Sequence, residues 1–246
     1  MNDKIIGRNP VLEAIRSGRS VDKILVKKGK YEGSIVPIIK KAKDAGIIIQ
    51  EVERAKLDQI AEGENHQGVI AYVSAYDYVS VKDILDKARE KNEPPFVIIC
   101  DKITDPHNLG AILRTANCVG AHGVIIPKRN SVGLNSVVAK TSAGAVEYTP
   151  VAKVTNLGHT IDELKEQGMW FVCADMGGTT MYDLNLTGPI GLVIGNEGDG
   201  VSKLVKENCD MTASIPMVGD IDSLNASVAT GVLAYEIVRQ RLKSGK

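Results

Sequence analysis

Six short runs of nearly unbroken apolar residues set the strongest limit on how this chain folds. They are FVIICD (96–101), HGVIIP (122–127), YTPVAKV (148–154), MWFVCAD (169–175), IGLVIG (190–195) and MTASIP (211–216). A strand that is apolar on both faces has to be covered on both faces, as strands of a parallel sheet are. Helical spacing marks the stretches 108–120, 132–143, 156–167 and 201–208 between them, and a long last helix is predicted from about Leu224 to Leu242. The pattern implies an α/β domain whose mostly parallel sheet carries helices on both faces.

A smaller α/β pattern precedes it. Asn9 is placed to cap a helix, with Pro10 in its first position and Gly18 just past its end. KILVKK (23–28), IIIQEV (47–52) and GVIAYVS (68–74) read as strands, and Ser34 to Ala45 as a helix stopped by Gly46. The stretch AYDYVS has no clear period, and a charged helix follows from Val81 to Lys91. The predicted organisation is therefore a domain over 1–75, a linker over 76–80 and a second domain over 81–246.

Composition excludes more than it selects. The longest apolar run falls short of a membrane helix, and MNDKIIGRNP lacks the apolar core of a signal peptide, so the chain is expected in the cytoplasm. Cys100, Cys118, Cys173 and Cys209 stand far apart, as do the four histidines, which argues against a disulfide framework and against a metal site. Net charge is zero, yet residues 1–43 hold 11 basic against 4 acidic residues, while the rest hold 19 against 26. A basic amino-terminal segment on an acidic body fits either a phosphate-facing surface or a solvated set of lysines.

The chemistry-bearing loops sit where ordinary nucleotide folds do not put them. No GxGxxG follows the first strand of the larger domain, which disfavours a Rossmann dehydrogenase, and no Walker loop, nucleophile elbow or kinase signature appears. Glycines and small polar residues gather instead in DPHNLGAILRTA (105–116), IGNEGDG (194–200) and IPMVGDIDSLNASVATG (215–231). Glycine lets main chain approach a ligand closely. Three such loops point to a pocket lined largely by backbone, suited to a flat hydrogen-bonding ligand such as an adenosine. Taken singly, Arg114 reads as a surface arginine placed near the helix start, Glu197 as a solvated acid or helix-end charge, and Ser223 and Asn225 as helix caps.

Taken jointly and in order, Asn108…Gly110…Arg114-Thr115-Ala116, Ile194-Gly195-Asn196-Glu197-Gly198 and Ile215-Pro216-Met217…Ser223-Leu224-Asn225-Ala226-Ser227 resemble the three motifs of the SpoU/TrmH family of RNA ribose 2′-O-methyltransferases, within the SPOUT superfamily. IIGRNPVLEAI and NHQGVIAYV (65–73) are similar to the substrate-binding domain of its RlmB branch, so the resemblance spans nearly the whole chain. It implies a carboxyl-terminal α/β knot with a deep trefoil, and an amino-terminal L30e-like RNA-binding domain. It also implies a homodimer packed through the knot region and last helix. S-adenosylmethionine is the implied cofactor, held at Gly195, Ile215, Leu224 and Asn225. Arg114 is implied to activate the ribose hydroxyl, Asn108 and Glu197 to orient Arg114 and the ribose, and Ser223 and Asn225 to hold phosphate or cofactor.

The implied substrate is structured RNA. A guanosine of 23S ribosomal RNA is preferred; transfer RNA and a non-catalytic ribosome-assembly role are the alternatives, and a small-molecule enzyme using another nucleotide is a more distant one. Arg8, Lys27, Lys28 and Lys30 are the expected phosphate contacts. With two Phe, one Trp and seven Tyr, a single-strand stacking platform is not expected.

Overall fold

The computed structural model describes residues 4–245, which divide into two compact units. The first comprises the chain up to Asp77 together with Gly133–Ser136, and the second holds Tyr78–Val132 and the chain from Val137 onward.

In the first unit the elements are β1 (Lys4–Ile6), α1 (Arg8–Arg16), β2 (Val21–Lys27), α2 (Ile35–Asp44), β3 (Ile48–Val52), α3 (Arg54–Ala61) and β4 (Val69–Val73). The sheet order is β1-β4-β2-β3. β4 runs antiparallel to β1 and β2, while β2 and β3 are parallel. Alternation along the strands divides the core. Ile24, Val26, Val69 and Ala71 pack against α1 and α2, whereas Leu25 and Ile70 pack against Leu57 and Ala61 of α3. Two local expectations are corrected. α1 begins one residue before Asn9, and its cap is Gly7, whose φ of 97° suits a residue without a Cβ. The predicted helix over 132–143 shortens to Ser136–Thr141, because Leu134 is buried in the first unit, where its carbonyl accepts the Ala75 N–H at 2.7 Å.

The second unit continues with α4 (Val81–Glu90), β5 (Phe96–Cys100), α5 (Pro106–Cys118), β6 (Gly123–Pro127), α6 (Ser136–Thr141), β7 (Val151–Val154), α7 (Leu157–Lys165), β8 (Trp170–Thr180), β9 (Ile190–Ile194), α8 (Lys203–Glu207), β10 (Met211–Ser214) and α9 (Ala226–Lys243). Its six strands lie in the order β10-β8-β9-β5-β6-β7, and every pairing is parallel. Val97, Ile99, Ile125, Phe171 and Val193 face the apolar sides of α4, α7 and α8. Strand alternation turns their neighbours to the opposite face, where α5 lies along β6 and α9 along β9. This is the predicted α/β sheet with helices on both faces. No helix among the described residues is long and apolar enough to cross a membrane.

Two features of this sheet position the site. The strand order reverses at the β5–β9 junction: the chain winds outward from β5 to β7, then returns on the other side. Ligands of open α/β sheets bind beyond the strand carboxyl ends at such a reversal. The second feature is a register break. β10 pairs Thr212 with Cys173 and then Ala213 with Thr179, so Ala174–Gly178 bulge out of the β8–β10 ladder. Where β8 rejoins β10, a Cβ on Gly178 would come within 2.5 Å of the Thr212 carbonyl oxygen, so that position has no room for a side chain.

Candidate functional site

β5 and β9 are adjacent and in register to their last residues, Cys100 opposite Ile194. The loops that leave them therefore start side by side. After β5 the chain turns into α5, whose N-cap Asp105 accepts the His107 N–H and whose first residue is Pro106. Asn108 lies in the first turn, buried. After β9 the chain makes a tight loop in which Asn196 Oδ1 accepts the N–H groups of Gly198 at 2.9 Å and Asp199 at 2.7 Å. This loop folds back on its own start. A Cβ on Gly195 would lie 1.9 Å from the carbonyl carbon of Gly200.

α9 brings in the third segment. Its N-cap is Asn225, whose Oδ1 accepts the N–H groups of Ser227 at 2.9 Å and Val228 at 3.4 Å. The same side chain turns its amide nitrogen the other way, donating to Asn108 Oδ1 at 3.0 Å and to Glu197 Oε1 at 3.2 Å. Asn108 Nδ2 also donates to Glu197 Oε1. Three residues separated by up to 117 positions thus close a ring of two amides around one carboxylate. Asn225 serves both as helix cap and as bridge.

Beside this ring lies a pocket of about 360 Å³. Gly195, Ile215 and Leu224, singled out from sequence, all line it, as do Glu197 and Ser223. Much of the remaining wall is the glycine loop from Asn196 to Gly200. Asp175 and Met176 reach the pocket from the bulge in β8 and were missed by sequence reasoning. The signal available was faint: a charged residue closing an apolar strand, MWFVCAD. Asp175 is held by Lys206 at 2.8 Å and accepts the Gly177 N–H, and these contacts keep its carboxyl below the usual carboxylate range. Ser223 stays outside the ring, and among the described residues its hydroxyl donates only to its neighbour Asp222.

Arg114 corrects an expectation. It is the ninth residue of α5, not near its start, and it is exposed. Six residues along a helix carry it about 9 Å up the axis and roughly 120° around from Asn108. It makes no hydrogen bond or ion pair among the described residues, so the ring and Arg114 occupy different faces of α5. In the first unit, by contrast, Arg8, Lys27, Lys28 and Lys30 all line one cleft of about 450 Å³.

A model of the SpoU rRNA Methylase family matches residues 95–235, and a model described as RNA 2′-O ribose methyltransferase substrate binding matches residues 4–79. A Bacillus subtilis relative, provisionally named TrmH family tRNA/rRNA methyltransferase YacO, is 49% identical over 100% of this chain and 98% of its own length. The chain belongs to the SpoU/TrmH family of RNA methyltransferases. A Staphylococcus haemolyticus member is 46% identical over 98% of this chain and 97% of its own. Among solved structures, the SpoU methyltransferase AviRb of Streptomyces viridochromogenes, determined in complex with AdoMet, shares 26% identity at a TM-score of 0.60, covering 98% of this chain and 90% of that one. The A. aeolicus TrmH/SpoU tRNA modifying enzyme shares 27% identity at a TM-score of 0.57, over 66% of this chain and 86% of its own. Within this family setting, the pocket, the ring and Arg114 all belong to the segment matched by the methylase model.

Proposed function

We propose that this family member methylates the 2′-hydroxyl of a ribose in structured RNA, with a guanosine of 23S ribosomal RNA as the preferred substrate and S-adenosylmethionine as donor. The observation that carries the reading is the Asn108–Glu197–Asn225 ring at the edge of a pocket walled by glycine backbone. An adenosine suits such a wall, because its ring edge is read by main-chain groups and its flat face needs side chains kept out of the way. Gly195 meets that need, since any Cβ there would collide with Gly200. The two family models support ribose chemistry and ribosomal RNA by their descriptions. The transfer-RNA reading keeps its place through the similarity to the A. aeolicus enzyme.

When bound, S-adenosylmethionine supplies an electrophilic methyl group on a sulfonium whose leaving thioether is neutral, so no general acid is required. The work left to the chain is on the nucleophile. Glu197, fixed by two amide donors, presents a carboxylate in one orientation, which favours alignment of a hydroxyl with the methyl group. Arg114 stays protonated in nearly any protein setting and stabilises the forming alkoxide, while a phosphate next to the ribose takes the proton. Because Arg114 lies on an open face of α5, it acts where RNA or a second subunit covers that face. We assign that cover in part to a homodimer in the cytoplasm, packed through the carboxyl-terminal helix, where Val228, Tyr235 and Leu242 are exposed.

Mass-spectrometric mapping of ribose methylation in RNA from cells lacking the protein tests this function. One ribosomal guanosine is expected to lose its 2′-O-methyl group, regain it with the wild-type chain and stay bare with Arg114→Ala. An unchanged methylation map would overturn the assignment.

A further inference from the structure

The cleft of the first unit carries more than charge. Five cations line it, Arg8, Lys27, Lys28, Lys30 and Arg54, and such groups suffice for phosphates. Their ion pairs with nearby acids are long and exposed: Lys28 to Glu53 at 3.5 Å, Lys30 to Glu32 and Arg54 to Asp58 at 3.7 Å each. Such pairs are worth little and exchange readily for phosphate. A phosphate surface, however, needs no enclosure, no aromatic wall and no carboxamides, and it has no use for an acid. This cleft has all four.

Tyr31 supplies the aromatic wall. It packs against the core formed by Ile24, Val26 and Ile38, and its hydroxyl donates to Glu51. Burial and that bond push the hydroxyl pKa up to about 12, so the donor stays in place and the ring is held at a fixed angle. Asn65 and Gln67 line the opposite loop, exposed. Their oxygens are engaged: Asn65 Oδ1 accepts the Gln67 N–H, and Gln67 Oε1 accepts the Arg8 N–H at 3.1 Å. Their NH2 groups make no hydrogen bond among the described residues. His66 between them is spent on structure. Its Nδ1 accepts the Gly68 N–H at 2.9 Å, which leaves Nε2 to donate to Asp58. The loop holds Gln67 in the left-handed region at φ 48°, which costs a residue with a Cβ some energy, while Gly68 takes φ 84° freely. Glu32, finally, offers an acceptor that phosphate would repel.

We propose that this cleft admits one unpaired nucleotide of the RNA, its base laid on the Tyr31 ring and its edge read by the Asn65 and Gln67 amides and by Glu32, with the flanking phosphates on the lysines. The proposal rests on the reading of the first unit as an RNA-binding module and adds what that module recognises. A volume of about 450 Å³ falls in the range of pockets that enclose a small flat ligand. One ring accepts one base, consistent with a chain poor in aromatics, and unstacked bases are the usual object of sequence reading in RNA.

The test uses the full chain and two RNA hairpins of equal length, one fully paired and one with a single 2-aminopurine bulge. The bulged hairpin is expected to bind about tenfold tighter, with loss of 2-aminopurine fluorescence as it stacks. Asn65→Ala and Tyr31→Leu should each shrink that preference, and Tyr31→Phe should keep it. Asn65 is exposed, so its variant retains the fold if Tyr31→Leu does not. Equal binding of both hairpins with unaltered fluorescence would sink base capture while leaving RNA binding intact. Failure of both hairpins to bind would remove the RNA-binding reading itself.

Discussion

The cleft of the first unit and the pocket of the second are comparable in size, about 450 and 360 Å³, and are built from opposite materials. The cleft is edged by long cationic side chains in loose, exchangeable pairs. The pocket is walled in good part by glycine backbone, with Glu197 held in the ring at its edge and Asp175 tied to Lys206. Charge held on flexible stems attracts a polyanion at a distance, tolerates many poses and weakens with salt. Fixed backbone and a closed hydrogen-bond ring recognise one shape and lose little to salt. On the proposed function, the two units divide the labour of finding a large RNA and of placing a small reactive group.

The division is most sharply tested at Gly195. Gly195→Ala forces a Cβ into the Gly200 carbonyl carbon at 1.9 Å. Cofactor affinity, measured by calorimetry, is expected to fall roughly 10- to 100-fold, with RNA affinity unchanged. A variant that binds both ligands normally would show that the glycine loop does not shape the pocket. The converse change is smaller. Lys28→Ala should weaken RNA binding uniformly across sequences and lower the salt slope of log affinity by about 1, leaving cofactor affinity intact. A salt slope that does not move would take Lys28 out of the phosphate path.

The smallest effect concerns stability. His122 in the second unit is buried, accepts the Phe96 N–H at 3.0 Å and faces Glu93. Burial lowers its pKa below the ordinary 6.5, and the Glu93 contact opposes that only in part. The unfolded chain therefore takes up a proton near pH 6.5 that the native state refuses, so this contribution to stability is full above that pH and declines below it. Urea midpoints of the second unit should drop between pH 6.5 and 5 in the wild type, and less in His122→Asn. Equal slopes in both would assign the effect elsewhere.

Much of this was legible before any coordinates. The central strands β5, β6 and β9 are continuously apolar because they are buried on both faces, and the residues that follow strands of one parallel sheet emerge at one edge. Asn108, Glu197 and Asn225 are grouped in the sequence only by the resemblance to the SpoU/TrmH motifs, and the parallel sheet is the physical reason those motifs meet. Other features lacked a local signal. α3 buries little more than Leu57 and Ala61, too few apolar positions to set a period. Val132, Leu134, Val137 and Val138 looked helical, but Leu134 answers to a partner some sixty residues away, Ser74, whose hydroxyl donates to its carbonyl at 3.2 Å. Arg114 was misplaced along α5 because a motif gives order and not the face of a helix. The bulge that delivers Asp175 arises from a register break between β8 and β10, which belongs to a pair of strands and is written in neither alone. The cleft was half visible: the lysines form a run, while Asn65 and Gln67 join them only through the fold.

The crowding at Gly195 bears on how such a protein diversifies. The recess is lined in good part by main chain, and Gly195 admits no single-step neighbour, because any Cβ there meets Gly200. The cationic cleft is the reverse, a surface where any lysine or amide can be traded one at a time. On the proposed function, new RNA targets are gained through the amino-terminal cleft more easily than a new donor is gained at the pocket, where Gly195 leaves no space to vary.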